Sequence, residues 1–336
     1  MKAKRVTLDD VARAAGVSRA TASRALTGSG PVSASVLLRV RTVADQLGFA
    51  PNQAARALAS KRAHAVALVI PEPNALVLGD PFLGGMITGV SEALRGTDYQ
   101  LILVIVRPDD EPAKAYRVLQ ASVDGAIIAS HHVTGELESE MSRQTGPLVY
   151  VGRPWQQPSA MYVDVDNVTC GRLATQTLLQ RGARHIACVA GPADMTPVRD
   201  RTEGWRLTLE QAEVTPGPVA HVPFTLSDGV TAMRALLEQD DAIDGVFAQS
   251  DMLGAGAVRV LHEAGRVVGK DVFVVGVDDS EVARSTSPRL TSVTNPSAEL
   301  ALRASRMLLR VLDEGADPCS IEPEIIEPRL VIRGSA

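Results

Sequence analysis

Thr7-Leu8-Asp9-Asp10-Val11-Ala12-Arg13-Ala14-Ala15-Gly16-Val17-Ser18-Arg19-Ala20-Thr21-Ala22-Ser23-Arg24-Ala25-Leu26 is the stretch on which the reading of this chain turns. Thr7 and Asp10 stand three residues apart, the spacing at which an N-cap hydroxyl and a following carboxylate satisfy each other's free N–H groups. Leu8, Val11, Ala12 and Ala15 then form one apolar stripe at helical spacing. Gly16 ends that helix, because a left-handed conformation costs glycine little. Val17 is a turn residue able to plug a core, and Ser18 caps a second helix that runs to about Leu26. On that helix Ala22, Ala25 and Leu26 turn inward. Arg19, Ala20, Ser23 and Arg24 are left largely outward, with Thr21 near the start.

Working outward, Gly28-Ser29-Gly30-Pro31 breaks the chain and Ser33 caps a third helix. Val36, Leu37, Val40, Val43, Ala44 and Leu47 form its inner face, and Gly48 ends it. Two short helices joined by a tight glycine turn and backed by a third make a helix-turn-helix. An arginine on the second helix can bond two acceptors of a guanine edge, and serine or threonine suits phosphates or either base. Charge points the same way. Residues 1–62 carry eleven Lys or Arg against three Asp, a net +8, whereas the whole chain is at −5. A basic head on an acidic body is expected to meet a polyanion. A small helical bundle serving protein contacts is the competing reading of the same pattern.

The quoted stretch resembles the opening of the LacI/GalR-type (lac repressor family) regulators. The resemblance continues in Gly48-Phe49-Ala50-Pro51-Asn52-Gln53-Ala54-Ala55-Arg56-Ala57-Leu58-Ala59, which is similar to that family's hinge helix. It implies base reading by Arg19, Ala20 and Arg24 and phosphate contacts from Ser18, Thr21 and Ser23. Thr7, Asn52, Ala55 and Leu58 complete the set of implied DNA contacts. Ala20 offers only an apolar contact, such as to a thymine methyl. Asn52 can cap a helix after Pro51, and a segment as short as Gln53 to Ala59 is marginal as an isolated helix in water. It is therefore expected to order on DNA beside a dimer mate, with Leu58 wedged into the minor groove, a step that costs a few kcal/mol of unstacking. Packing of Leu58 on the body is the alternative.

Beyond residue 64 the chain alternates strand and helix patterns. Strands are expected over Ala65 to Ile70, Tyr99 to Val106, Gly125 to Ser130, Leu148 to Gly152, Ile186 to Ala190, Gly245 to Ala248 and Val272 to Val277. Helices are expected over Phe82 to Arg95, Glu111 to Ala121, Asn167 to Arg181, Arg199 to Ala212, Asp228 to Glu238 and Asp251 to Ala264. This rhythm predicts parallel sheets covered on both faces, with ligands beyond the carboxyl ends of the strands. The family resemblance extends here through Asp80-Pro81-Phe82, Val123-Asp124-Gly125-Ala126-Ile127-Ile128, Gly182-Ala183-Arg184-His185-Ile186-Ala187, Arg201-Thr202-Glu203-Gly204-Trp205 and Val274-Val275-Gly276-Val277-Asp278-Asp279. It implies an all-α helix-turn-helix head plus an α/β two-lobed periplasmic-binding-protein-like (type I) core with doubly wound parallel sheets.

The expected division is a head over 1–50, a hinge and linker over 51–62 and a core over 63–336. Lobe 1 takes about 63–163 and 293–322, and lobe 2 about 164–292 and 323–336. Crossings between lobes are expected near Val163 to Val165, Ser292 to Asn295 and Ile321 to Glu324, with Pro296 to Asp313 a helix returned to the first lobe.

The effector candidates are Asp80, Phe82, Arg153, Trp155, Arg201, Ser250 and Asp278, each just after a strand or in the turn beyond one. Carboxylates accept from sugar hydroxyls, arginine donates to ring and hydroxyl oxygens, and Phe82 or Trp155 can cover an apolar sugar face. For Arg201 and Asp278 the alternative is a structural ion pair. Phe82 reads equally as core, and Phe224 is an aromatic without a supporting motif. Gly84 and Gly85 fall inside an expected helix, where close packing or a ligand's approach explains them.

Other classes lack their signatures. Cys170, Cys188 and Cys319 are far apart and expected to be buried thiols. The six histidines form no metal pattern; His131 and His132 are expected to be an exposed loop pair and His185 structural. No nucleophile triad, phosphate loop or dinucleotide fingerprint is present, so neither an enzyme nor a cofactor is expected. No basic-then-apolar leader opens the chain and no apolar run has membrane-spanning length, which reads as a cytoplasmic protein, nucleoid-associated when on DNA.

The expected function is a sequence-specific transcriptional regulator. It binds a pseudo-palindromic operator in double-stranded DNA as a homodimer, under control of a small-molecule effector. Within the family a sugar is the default effector, with nucleobases and other small molecules as alternatives, and a repressor is the default mode. No leucine heptad tail follows Arg329-Leu330-Val331-Ile332-Arg333, so a dimer rather than a tetramer is expected. A transport-type sugar-binding protein without DNA function is the alternative; it would need an export signal and no basic head.

Overall fold

The computed structural model describes residues 6–27, 30–49, 62–107, 123–133, 146–155 and 159–336. Two compact units, Met1–Ala63 and His64–Ala336, divide the chain. In the first, α1 (Leu8–Ala14), α2 (Arg19–Thr27) and α3 (Ala34–Leu47) surround a small core. Val11, Ala12, Ala15, Ala22, Ala25, Val40 and Ala44 are buried in it. The capping box forms: Asp10 N donates to Thr7 Oγ1 at 3.3 Å and Thr7 N donates to Asp10 Oδ2 at 3.0 Å. Gly16 adopts φ 63°, which lets Val17 N reach back to Ala12 O at 3.0 Å and turns the chain into α2.

Two expectations about α3 are corrected. Ser33 stands at the N-cap without a side-chain cap bond; its hydroxyl lies 3.3 Å from Ser35 Oγ instead. Leu47 is 39% exposed, because the turn at Gly48 brings Phe49 onto the core in its place.

The second unit holds two six-stranded sheets of the same design. The strands are β1 (Ala65–Ile70), β2 (Gln100–Ile105), β3 (Gly125–Ala129), β4 (Leu148–Val151), β5 (Met161–Val165), β6 (Ile186–Ala190), β7 (Val219–His221), β8 (Gly245–Ala248), β9 (Phe273–Asp278), β10 (Thr291–Thr294), β11 (Glu324–Ile326) and β12 (Leu330–Val331). One sheet runs β11-β5-β4-β3-β1-β2 and the other β12-β10-β9-β8-β6-β7. All pairings are parallel except β12 on β10. β1, β3, β6 and β8 are buried along their whole length, which is why they read as unbroken apolar runs.

The helices described in this unit are α4 (Asn74–Gly79), α5 (Pro81–Ala93), α6 (Asn167–Gln180), α7 (Thr196–Gln211), α8 (Leu226–Gln239), α9 (Asp251–Glu263), α10 (Glu281–Ser285) and α11 (Ser297–Glu314). The helix expected over 111–121 lies outside the described residues. α11 returns to the first lobe and packs on α5 so closely that a Cβ on Gly89 would stand 2.2 Å from Ala298 O. A Cβ on Gly85 would meet Ser297 Oγ at 1.9 Å, so Gly85 serves helix packing.

The third crossing is corrected: Glu324 to Ile326 pairs with Val163 to Val165, so the chain changes lobes after β11 rather than before it. β5 and β10 are full strands where only crossings were expected. α7 begins at Thr196, three residues before the expected start at Arg199, with Pro197 in its first turn, and holds Arg201 inside the helix. Cys170 and Cys188 are buried but Cys319 is exposed. Among the described residues no helix is long and apolar enough to cross a membrane.

Candidate functional site

Two regions concentrate polar side chains. On α2, Arg19, Ala20 and Arg24 are exposed, Thr21 and Ser23 are half-buried, and Ser18 is exposed at the helix start. The pattern follows from the buried positions Ala22 and Ala25, which fix which side of the helix faces water. Ser18 Oγ accepts from Thr21 N at 3.1 Å and lies 2.8 Å from Thr21 Oγ1, so both hydroxyls begin the helix and remain at the surface. Arg19 Nε lies 3.5 Å from Asp9 Oδ1, an exposed pair that contributes little stability and can open for a phosphate or base. Thr7 is exposed with its hydroxyl donating to Asp10 Oδ2 at 2.7 Å. Asn52, Ala55 and Leu58 lie outside the described residues.

The second region is a cleft of about 720 Å³, mouth included, between the two lobes. Both lobes line it: Asp80, Phe82, Ser130, His131, Gly152 and Asp164 come from one, and Met195, Arg201, Phe224, Ser250, Asp278 and Asn295 from the other and the crossings, many of them just beyond the carboxyl ends of strands. Five of the seven expected effector residues therefore meet there: Asp80, Phe82, Arg201, Ser250 and Asp278.

Arg201 is 5% exposed and enters from α7. Its Nε donates to Asn167 Oδ1 at 2.8 Å and its Nη1 to Gln249 O at 2.7 Å. These two bonds use two of the five N–H donors of the guanidinium. Asp80 caps α5, accepting from Phe82 N at 2.9 Å. Ser250 caps α9, accepting from Leu253 N at 3.2 Å, which commits part of its polar capacity to the helix. Asp278 ends β9 at φ 112° and Asp279 follows at φ 52°, a conformation that costs a non-glycine residue about 1–3 kcal/mol and needs support. The support is visible. Asn295 Nδ2 donates to Asp278 Oδ1 at 2.9 Å, Ser292 Oγ accepts from Asp279 N at 3.0 Å, and Asp251 Oδ2 accepts from Ser280 N at 2.7 Å.

Burial raises the carboxyls of this region, because the charged form loses its water. Asp278 is held well above the usual carboxylate range by burial first and by Asp251 and Asp80 after it, with Arg201 pulling the other way. Burial pushes Asp80 to about 6, against the hydrogen bond from Phe82 N. Asp251 also reaches about 6 by burial, opposed by the hydroxyls and N–H of Ser292 and Ser280.

Arg153 and Trp155 are not among the cleft-lining residues. Arg153 Nη2 donates to Asp200 at 2.7 and 3.0 Å, tying a loop of one lobe to α7 of the other. Arg199 of α7 stacks its guanidinium 4.5 Å over the half-exposed Trp155 ring.

The histidine pair is corrected, since neither ring is an exposed loop side chain. His131 is 4% exposed, with Nε2 3.2 Å from Gly152 O. His132 stands between Glu72 at 3.4 Å and Asp194 of the other lobe at 3.0 Å. Burial opposes its charge, but hydrogen bonds to Glu72 and Asp194 outweigh that and raise it to about 9.

Residues without a sequence motif also reach the cleft. Phe224 does so because Gly191 leaves it room: a Cβ there would stand 2.1 Å from the ring. Asp164 lies on β5 and Asn295 just after β10, and both reach the cleft without belonging to a motif.

Comparison with known proteins agrees with this geometry. Residues 7–52 match the model "Bacterial regulatory proteins, lacI family" and residues 175–336 match "Periplasmic binding protein-like domain". The chain is 39% identical to the HTH-type transcriptional regulator CelR of Thermobifida fusca, covering 99% of this chain and 98% of that one. It is 30% identical to the ribose operon repressor of Escherichia coli (strain K12), over 98% and 99% of the two chains. A solved transcriptional regulator CelR-cellobiose complex superposes with a TM-score of 0.78 at 36% identity, over 99% of this chain and 100% of that chain. The lac repressor dimer bound to operator and the anti-inducer ONPF shares the fold, with a TM-score of 0.85 at 24% identity and 99% coverage of both chains.

Proposed function

The chain belongs to the LacI family of bacterial regulatory proteins, and on that premise we propose that it is a DNA-binding repressor whose interlobe cleft takes a neutral oligosaccharide of the cellobiose kind. The observation that carries this is the convergence on one cleft, from both lobes, of Asp80 at the start of α5, Arg201 of α7 and Asp278 at the end of β9. Carboxylates that accept and a guanidinium that donates fit a ring of hydroxyls, and Phe82 and Phe224 supply apolar cover. Asp80, Asp164 and Asp278 line the cleft beside Arg201, and an acidic or phosphorylated sugar would meet whichever of them are ionised, so a neutral sugar fits better. The relative at 36% identity holds cellobiose, which makes that sugar the first to test.

On the DNA side, Arg19, Ala20 and Arg24 read base edges in a major groove while Ser18, Thr21 and Ser23 position the helix on phosphates. Two copies of the chain take the two halves of a near-palindromic site in double-stranded DNA, with Leu58 at its centre, and the protein works in the cytoplasm. Effector binding alters operator affinity because the sugar favours one arrangement of the lobes over another.

A thermal-shift panel tests the ligand reading. Cellobiose is expected to raise the melting temperature, while glucose 6-phosphate leaves it unchanged. A shift with the phosphorylated sugar and none with any neutral sugar would contradict the assignment.

A further inference from the structure

Arg201 does not hold its own direction. Its long side chain has several rotatable bonds, and its place in the cleft is set by what receives its N–H groups. Nη1 is received by a main-chain carbonyl, Gln249 O. Nε is received by a side chain, Asn167 Oδ1 at 2.8 Å, and Asn167 is 3% exposed at the start of α6. A carboxamide can present either end, so something must decide which end faces Arg201. The neighbours decide it. Asn167 Nδ2 lies 2.9 Å from Asp164 Oδ1 and 3.0 Å from Val165 O. Both are acceptors, and Asp164 Oδ1 also accepts from Val165 N at 2.8 Å. The NH₂ end must therefore face them, which leaves the oxygen for Arg201.

The backbone fixes the distance over which this works. Gly171 lies one turn beyond Asn167 on α6, and Gly204 nearly one turn beyond Arg201 on α7. A Cβ on Gly171 would stand 2.1 Å from Arg201 O, and one on Gly204 2.1 Å from Val168 O. The two helices thus touch main chain to main chain beside the Asn167–Arg201 bond. The other oxygen of Asp164 accepts from Arg153 N at 2.9 Å, so the network reaches the first lobe's loop.

We propose that Asn167 is a positioning residue for the effector site: its carboxamide, turned by Asp164, aims the Arg201 guanidinium into the cleft. The proposal rests on the reading of the cleft as a sugar site. Asn167 does not line the cleft and acts only through Arg201.

The test is a double-mutant cycle on the full chain with cellobiose as probe, joined to crystal structures of the wild type and Asn167→Ala. Calorimetry is expected to give about a tenfold loss of affinity for Asn167→Ala and a larger loss for Arg201→Ala. The double variant should be no weaker than Arg201→Ala alone, because the path through Arg201 is already gone. Losses that multiply would mean that Asn167 acts independently, and would overturn the proposal. If Asn167→Ala fails to fold, Asn167→Ser replaces it; serine suits a helix start and is too short to receive Nε.

If the wild type does not bind cellobiose, the ligand reading of the preceding section fails and the crystallographic arm decides. Displacement of the Arg201 guanidinium in the Asn167 variant upholds the proposal, and an unmoved guanidinium overturns it.

Discussion

On α2 the side chains offered for recognition stand in water: Arg19, Ala20 and Arg24 are exposed, and the carboxylate 3.5 Å from Arg19 is exposed as well. In the cleft the offered side chain is 5% exposed and already bonded to Asn167 and to Gln249 O. One arginine surface is loosely held and adapts to its target. The other is assembled beforehand. The difference matches the proposed ligands. A DNA duplex brings a continuous charged surface that orders long side chains as it docks. A small neutral sugar supplies too little binding energy to order its own site, so the protein must order it in folding.

That comparison can be broken most severely at Arg201. Replacing it with alanine takes a donor from Asn167 Oδ1 and Gln249 O and removes a cation near Asp278. We expect cellobiose affinity, measured by calorimetry, to fall by about a hundredfold, in line with the roughly 1.5–3 kcal/mol of a charge-assisted hydrogen bond. Operator affinity without sugar should be unchanged.

Arg24→Ala is the matching change on α2. It should cost about 1–3 kcal/mol of operator binding, relax the preference at one base pair and leave calorimetric sugar binding alone. An equal loss on random-sequence duplex would mean that Arg24 contacts phosphate only.

Acidity gives a milder test. Burial pushes Asp80 up to about 6, and a sugar hydroxyl that donates to it is held more strongly by the ionised form. Affinity should therefore hold at neutral pH and fall as pH drops through that value, by about tenfold between roughly pH 7 and pH 5. The same shift has the opposite sign for folding. A carboxyl raised in the folded state contributes stability below its unfolded value, and that contribution is lost as pH rises through about 6.

The smallest effect belongs to Thr7→Ala. It removes the capping box of α1, which should lower the stability of the head by about 1 kcal/mol in a denaturant titration. Cellobiose binding should not respond.

The same contrast explains what could be read from the sequence. In the head, helix, turn and outward face were legible because each follows from local spacing: Thr7 to Asp10, the turn at Gly16, and Ala22 and Ala25 as the buried side of α2. Where tertiary packing chose, as between Leu47 and Phe49, local spacing failed. In the body the long buried strands were legible, but three-residue β11 was not, since its pairing with β5 depends on residues about 160 positions away. Arg153 and Trp155 follow a strand just as Asp278 ends one, and nothing local distinguishes them. Only the folded lobes show that Asp200 and Arg199 occupy them. The histidine pair was misread for the same reason, as Asp194 comes from the other lobe.

The central claim is that sugar in the cleft and DNA on α2 are linked. The direct measurement is fluorescence anisotropy of a duplex selected from a random library by the full-length chain, titrated with protein with and without saturating cellobiose. Coupling energies of about 1–3 kcal/mol correspond to changes of roughly five- to a hundredfold. Cellobiose is expected to weaken duplex binding within that range, and Arg201→Ala to abolish the effect while still binding the duplex. Duplex binding that cellobiose leaves unchanged, in a wild-type protein shown by calorimetry to be sugar-saturated, would contradict it.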